Sequence, residues 1–158
     1  MTDSTLREFR SALRALVRTI GRQLKDETQC CGVGYLVCLI LLELDDEPGR
    51  SLKALESSLG TDKATLSRTV DFLVQNGLAE RDENPADRRA IVLNLTPAGR
   101  RTAANINRYL DEKYRKLFQS IPSPEHVSVI RAVGYLNHAF GQFGAEAKPC
   151  WPAIDKQR

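Results

Sequence analysis

Histidine is scarce in this chain. His126 and His138 are the only two, twelve positions apart, a spacing that does not bring both onto one ligand face of a helix. Neither is near a cysteine in sequence, so a structural zinc site is not expected. The longest apolar stretch, Val33 to Leu44, contains Gly34 and falls short of the ~20 residues that span a bilayer. No secretory signal is visible, because the N-terminus opens polar and acidic and then turns amphipathic. A cytoplasmic protein without membrane contact is expected, with its four cysteines (Cys30, Cys31, Cys38 and Cys150) reduced rather than paired. A Gly-rich phosphate loop, a dinucleotide fingerprint and a metal-hydrolase motif are also lacking, and Gly32-Val33-Gly34 is too short to cradle phosphate. Cys30 or Cys31 could act as a thiol catalyst with a histidine, but nothing supplies an oxyanion site or an orienting partner. The reading is therefore non-enzymatic, with a thiol enzyme as the alternative of another class.

What is present suits one domain with helical arms. The 158 residues are 42% hydrophobic and 27% charged, enough for a core and a polar surface. The net charge of +3 says little, but its distribution says more. Acidic residues gather between Glu43 and Glu47, and Arg81, Arg88, Arg89, Arg100 and Arg101 lie close together further on. A local basic face binds phosphates even when the total charge is small.

The periodicity is mostly helical. Leu6, Phe9, Leu13, Leu16, Val17, Ile20 and Leu24 recur in steps of three and four, predicting a helix from about Thr5 to Thr28. Gln29 to Gly34 break that pattern, and Tyr35 to Leu44 reads as a helix buried on most sides. Asp45 to Arg50 form a turn around Pro48-Gly49. Ser51 caps a short helix lined by Leu52, Leu55 and Leu59 and ended by Gly60. Asp62 caps the next, Lys63 to Gln75, with Leu66, Val70, Leu73 and Val74 inward and Lys63, Thr65, Ser67, Arg68 and Thr69 outward. The period then changes to that of strands: Leu78 to Asp82, then Ile91, Leu93 and Leu95 alternating with Ala90, Val92 and Asn94, joined through a polar loop from Glu83 to Arg89. Thr96-Pro97 opens a helix to about Phe118, Pro122 to Pro124 turn the chain, and a last helix runs to about Phe143. The fold class expected is mainly α with a small β-hairpin wing.

Helix, tight turn, second helix and a hairpin with a basic tip form a sensible DNA-reading set. A helix fits the major groove, its first-turn amides favour phosphate, and a basic tip suits the neighbouring minor groove. Lys63, Thr65, Ser67 and Arg68 suit the first task, and Arg88 and Arg89 the second. Asp87 repels phosphate unless it steadies an arginine through a charge-assisted pair. Each piece alone is ordinary surface; the order in which they occur carries the argument. The basic wing tip and polar helix face also argue against a pure protein-interaction module.

The run from Ser51 to Arg100, with TLSRTVDFL, GLAER, NPADRR and LTPAG in order, resembles the DNA-binding lobe of the MarR family. The flanking helices extend the likeness to about Thr5 to Phe143. The resemblance implies a single MarR-like domain over 1–158: a winged helix-turn-helix lobe at 34–97, dimerisation helices at 5–30 and 98–145, and an irregular tail at 145–158. It also implies a homodimeric transcriptional regulator on a pseudo-palindromic double-stranded operator, with half-sites roughly 34 Å apart. Lys63, Thr65, Ser67 and Arg68 would then face the major groove, with Arg88 or Arg89 in the minor groove beside Asp87. No cofactor would be needed to bind DNA.

The thiols suggest the signal. Cys30-Cys31 lie at a predicted helix break, and adjacent cysteines make a strained disulfide ring. Such a pair can clamp a soft centre such as trivalent arsenic, mercury, copper(I) or zinc, with Cys150 as a third thiolate. Cys38, on the apolar helix, is read as a core residue. QCCGVGYLVC, Gln29 to Cys38, resembles a Cys-Cys-Gly branch of the family associated with arsenic and metal response. The expected function is a repressor released by a thiophilic ligand such as arsenite. A redox-sensing or organic-ligand-sensing regulator is the alternative.

Overall fold

The computed structural model describes residues 2–30, 34–84 and 87–143, without the side chains of 24–30, 87–90 and 143. The chain divides into two compact units, Met1–Leu110 and Asp111–Arg158. The first holds α1 (Asp3–Cys30), α2 (Tyr35–Asp46), β1 (Arg50–Ser51), α3 (Leu52–Leu59), α4 (Lys63–Gln75), β2 (Ala79–Asn84) and β3 (Asp87–Leu95). Helix α5 (Pro97–Gln119) begins there and ends in the second unit, which continues with a 3-10 turn (Ser123–Glu125) and α6 (His126–Phe143). Among the described residues no helix is long and apolar enough to cross a membrane.

The core of the first unit follows from the apolar periodicity. Ile40, Leu41 and Leu44 of α2, Leu55 of α3, and Leu66, Val70 and Leu73 of α4 are all but sealed from solvent. Leu93 and Leu95 of β3 and Ala103 of α5 close the same cluster. Each large aliphatic side chain so buried stabilises the fold by about 1.5–3 kcal/mol. No residue of α2 from Leu36 to Asp45 is fully exposed, as its uninterrupted apolar run foretold. Cys38 is half-buried and packs against this core.

The sheet is larger than the sequence suggested. Its order is β1-β3-β2, antiparallel throughout. Residue Arg50 was expected in a turn, but Arg50 and Ser51 pair with Leu93 and Val92, and the Gly49 amide donates to the Leu93 carbonyl at 3.1 Å. A two-residue strand is too short to show a period. The polar loop expected from Glu83 to Arg89 is mostly strand: β2 runs to Asn84, β3 starts at Asp87, and the register shifts between Glu83 and Asn84. Backbone pairing ignores side-chain polarity, so the ladder continues past the apolar pattern. Ile91 was expected beside Leu93 and Leu95, yet it is 59% exposed. It pairs with Glu83 beyond the reach of β1, whereas Val92, between Ser51 and Asp82, is buried.

The Leu95-Thr96-Pro97-Ala98-Gly99 segment joins hairpin to helix. Thr96 Oγ1 donates to the Gly77 carbonyl at 2.6 Å and accepts from the Gly99 amide at 3.0 Å. The Thr96 amide donates to the Leu78 carbonyl at 3.1 Å. Gly99 lies so close to this carbonyl that a Cβ would stand 1.9 Å from the Leu78 oxygen. Backbone must move to admit any side chain there.

In the second unit, His126 is half-buried and places Nε2 3.0 Å from the Phe118 carbonyl oxygen and 2.9 Å from that of Ile121. Its ring meets Phe118 edge-on at 5.0 Å. The exposed His138 pairs with Gln142 on α6.

Gly99→Ala is expected to lower unfolding free energy by about 1–3 kcal/mol, the usual cost of forcing extra atoms into a filled site. Denaturant melts of the two proteins measure this, and equal midpoints would mean that α5 can shift at no cost.

Candidate nucleic-acid interface

Local rules set the α3–turn–α4 pair. Ser51 Oγ accepts from the Ala54 amide at 3.2 Å, capping α3. Gly60 ends it in the left-handed conformation, at φ 60°, which a side chain would resist. Asp62 then caps α4, accepting from the Thr65 amide at 2.9 Å. Arg50 is ion-paired to Glu43, and Ser58 Oγ donates to the same carboxylate at 3.1 Å, so the acidic end of α2 fastens β1 and α3.

With Leu66, Val70 and Leu73 turned inward, α4 presents Lys63, Ala64, Arg68 and Phe72 to solvent. Thr65 and Ser67, expected to face fully outward, are half-buried. Thr65 Oγ1 accepts from the Arg68 guanidinium at 3.3 Å, and the Thr69 hydroxyl donates back to the Thr65 carbonyl at 2.9 Å. The sequence reading missed Ala64 and Phe72, although the four-residue step on either side of Arg68 puts both on its stripe. It also missed the ion pair of Arg81 with Asp71, at 2.5 Å, which ties β2 to α4.

The arginine group is thus less uniform than its spacing suggested. Arg81 is engaged by Asp71, and Arg100 donates to the Leu95 carbonyl at 2.6 Å. Asp87, Arg88 and Arg89 lie at the start of β3, where Asp87 pairs with Asn84; their side chains are outside the description. The proposed Asp87–arginine pair therefore lies outside the described residues. Cys30 is the last residue of α1, its side chain outside the description; Cys31 and Cys150 lie outside the described residues altogether. Among the described residues no cluster of three or more His, Cys, Asp or Glu could hold a metal. A cleft of about 200 Å³ on the first unit is lined by Leu44, Asp45, Pro48, Glu80, Asn94, Leu95 and Arg100.

The family model described as the MarR family matches residues 32–90, which include α2 to α4, β2 and the start of β3. A crystal structure of a MarR family transcription regulator shares 26% identity with this chain, with a TM-score of 0.73 over 91% of this chain and 95% of that one. The chain has a winged-helix fold and is similar to transcriptional regulators of the MarR family. The HTH-type transcriptional regulator BilQ of Clostridium symbiosum (strain WAL-14163) is 27% identical over 101 residues, covering 64% of this chain and 70% of BilQ. The transcriptional repressor CouR, in a structure bound to a 23-mer DNA duplex, is 25% identical, with a TM-score of 0.67 over 78% of this chain and 89% of CouR. These relatives are transcriptional regulators, not enzymes, which bears out the non-enzymatic reading.

In this lobe the Asp62 carboxyl is held below its ordinary value of 3.8, first by the Thr65 amide, then by the Thr65 hydroxyl, with Arg68 assisting. A carboxyl whose folded pKa is depressed stabilises the fold above its ordinary pKa, and that contribution is lost as pH falls through the lowered value. Asp62→Asn is therefore expected to be less stable than wild type near neutral pH, with the difference shrinking as pH drops below 3.8. Urea melts across that range measure it. A difference that stays constant would mean the capping carboxylate carries no such linkage.

Proposed function

We propose that this regulator binds double-stranded operator DNA as a homodimer and represses until a thiophilic ligand releases it. The exposed face of α4, with Lys63 and Arg68 beside a hairpin whose β3 opens on Asp87, Arg88 and Arg89, is the observation that carries the DNA reading. Lys63 stands in the first turn of α4, where the helix dipole disfavours a cation, a placement that a phosphate would offset. Lys63, Thr65, Ser67 and Arg68 serve the major groove; Arg88 or Arg89, steadied by Asp87, serves the minor groove. CouR, bound to a 23-mer DNA duplex, is a relative that supports the DNA reading.

The apolar faces support the homodimer. Phe9, Leu16, Val17 and Ile20 of α1, and Val127, Ile130, Val133 and Phe140 of α6, are exposed on the single chain. That much apolar surface on two long helices calls for a cover, and a second copy supplies matching faces. Two α4 helices held at a fixed separation then meet half-sites roughly 34 Å apart.

The ligand reading rests on the sequence. Helix α1 ends at Cys30 and α2 begins at Tyr35, so Cys30 and Cys31 belong to the junction of a dimer arm with the lobe. A clamp there on trivalent arsenic or another soft metal, with Cys150 as third thiolate, would favour an α4 separation that DNA does not fit. The ligand must bind that state better than the DNA-bound one, or no release follows.

Two outcomes are expected from fluorescence anisotropy on the regulator's own promoter DNA. Arg89→Ala weakens binding to all sequences alike and lowers the slope of log affinity against log salt by about 1; an unchanged slope would remove the wing from the interface. Arsenite releases the reduced wild type at about one or two equivalents per dimer, following the one or two thiolate clamps a dimer would carry, and does not release Cys30→Ser/Cys31→Ser. Release of both proteins alike would end the arsenite reading. Tight binding that ignores arsenite would turn the search to oxidants and organic ligands.

A further inference from the structure

The outward polar side chains of α4 divide into those that point at solvent and those that hold others in place. Arg68 is exposed, and its stripe carries only the small Ala64 on the N-terminal side, so no bulky neighbour on α4 shields the guanidinium from a groove. Side chains on a helix lean toward its N-terminus, which carries the head of Arg68 back over the first turn, the end that enters the major groove. There it meets Thr65 Oγ1 at 3.3 Å. Thr65 is itself fixed, since its amide donates to the Asp62 carboxylate at 2.9 Å. Its hydroxyl proton is free to face that carboxylate while its lone pair takes the arginine N–H.

Asp62, Thr65 and Arg68 are thus linked through one residue: the Asp62 carboxylate takes the Thr65 amide, and the Thr65 hydroxyl takes the Arg68 guanidinium. We propose that Arg68 selects a guanine in each operator half-site and that Thr65 is its positioning residue, not a base contact. This rests on the operator-binding reading above. A guanidinium has five N–H donors, so the bond to Thr65 leaves enough for a bidentate pair on guanine O6 and N7. The role of Thr65 is to hold a flexible side chain in the pose that pair needs, so that less freedom is lost on binding.

Duplexes selected from a random pool by the intact protein test this. The wild-type motif contains a guanine whose replacement by 7-deazaguanine, which lacks N7, weakens binding about tenfold. Arg68→Ala loses preference at that pair and keeps the rest of the motif. Thr65→Val loses the same preference, Thr65→Ser restores it, and thermal melts of the three proteins show all to be folded. An unchanged motif with Arg68→Ala would overturn the assignment of Arg68, and a Thr65→Val motif equal to wild type would overturn the positioning role. Failure of the wild type to enrich any duplex at low salt would instead overturn the operator-binding reading on which both depend.

Discussion

The Leu78 carbonyl stands where α4, the hairpin and α5 meet. The Leu78 amide donates to Leu73 at the end of α4, its carbonyl accepts from Thr96 after β3, and Gly99 of α5 presses against the same oxygen. One peptide unit therefore sets where the reading helix stops, where the wing starts and how near the long helix approaches. With no side chain at Gly99, α5 settles directly on backbone, and Leu95 and Ala103 on either side close the core. A shift at this junction would carry the hairpin away from α4, and a winged lobe has its use only while the two share one face.

Charge in the lobe is allotted pair by pair. Glu43 holds Arg50, Asp71 holds Arg81, and Asp82 accepts from Asn94 across the hairpin. Such exposed or half-exposed pairs add little to stability. Their effect is on the field: the carboxylate of Asp71, on the very helix proposed to enter a groove, is neutralised by an arginine from β2. Lys63 and Arg68 are then the cations that α4 shows to solvent. The +3 net charge of the chain conceals this arrangement, because a sum does not show which charges are paired.

Apolar surface is divided in the same way. Helices α2, α3 and α4 bury theirs against one another and the sheet, while α1 and α6 leave theirs uncovered within a single chain. The amphipathic period of α1 is as clear as that of α3 and α4, so periodicity alone does not say whether an apolar stripe meets its own core or another molecule.

The sequence by itself determined the helices, their caps and the inward side chains. Those follow from local rules: Ser51, Asp62 and Thr96 accept from amides three residues on, Gly60 takes a left-handed turn, and apolar residues repeat every three or four positions. Of the exposed α4 face, Lys63 and Arg68 were legible in the same way, by subtracting the buried stripe, whereas Ala64 and Phe72 were not read. The tertiary structure alone decided the rest. The strand at Arg50–Ser51 exists because β3 offers it a partner some forty residues away in sequence. The extension of the hairpin to Asn84 and Asp87 depends on backbone pairing, to which side-chain polarity is no guide. The exposure of Ile91, the holding of Arg68 by Thr65 and of Asp71 by Arg81, and the need for glycine at position 99 are matters of distance between chosen side chains and backbones. Composition and period carry no such distances; they arise only when packed elements bring remote residues into contact.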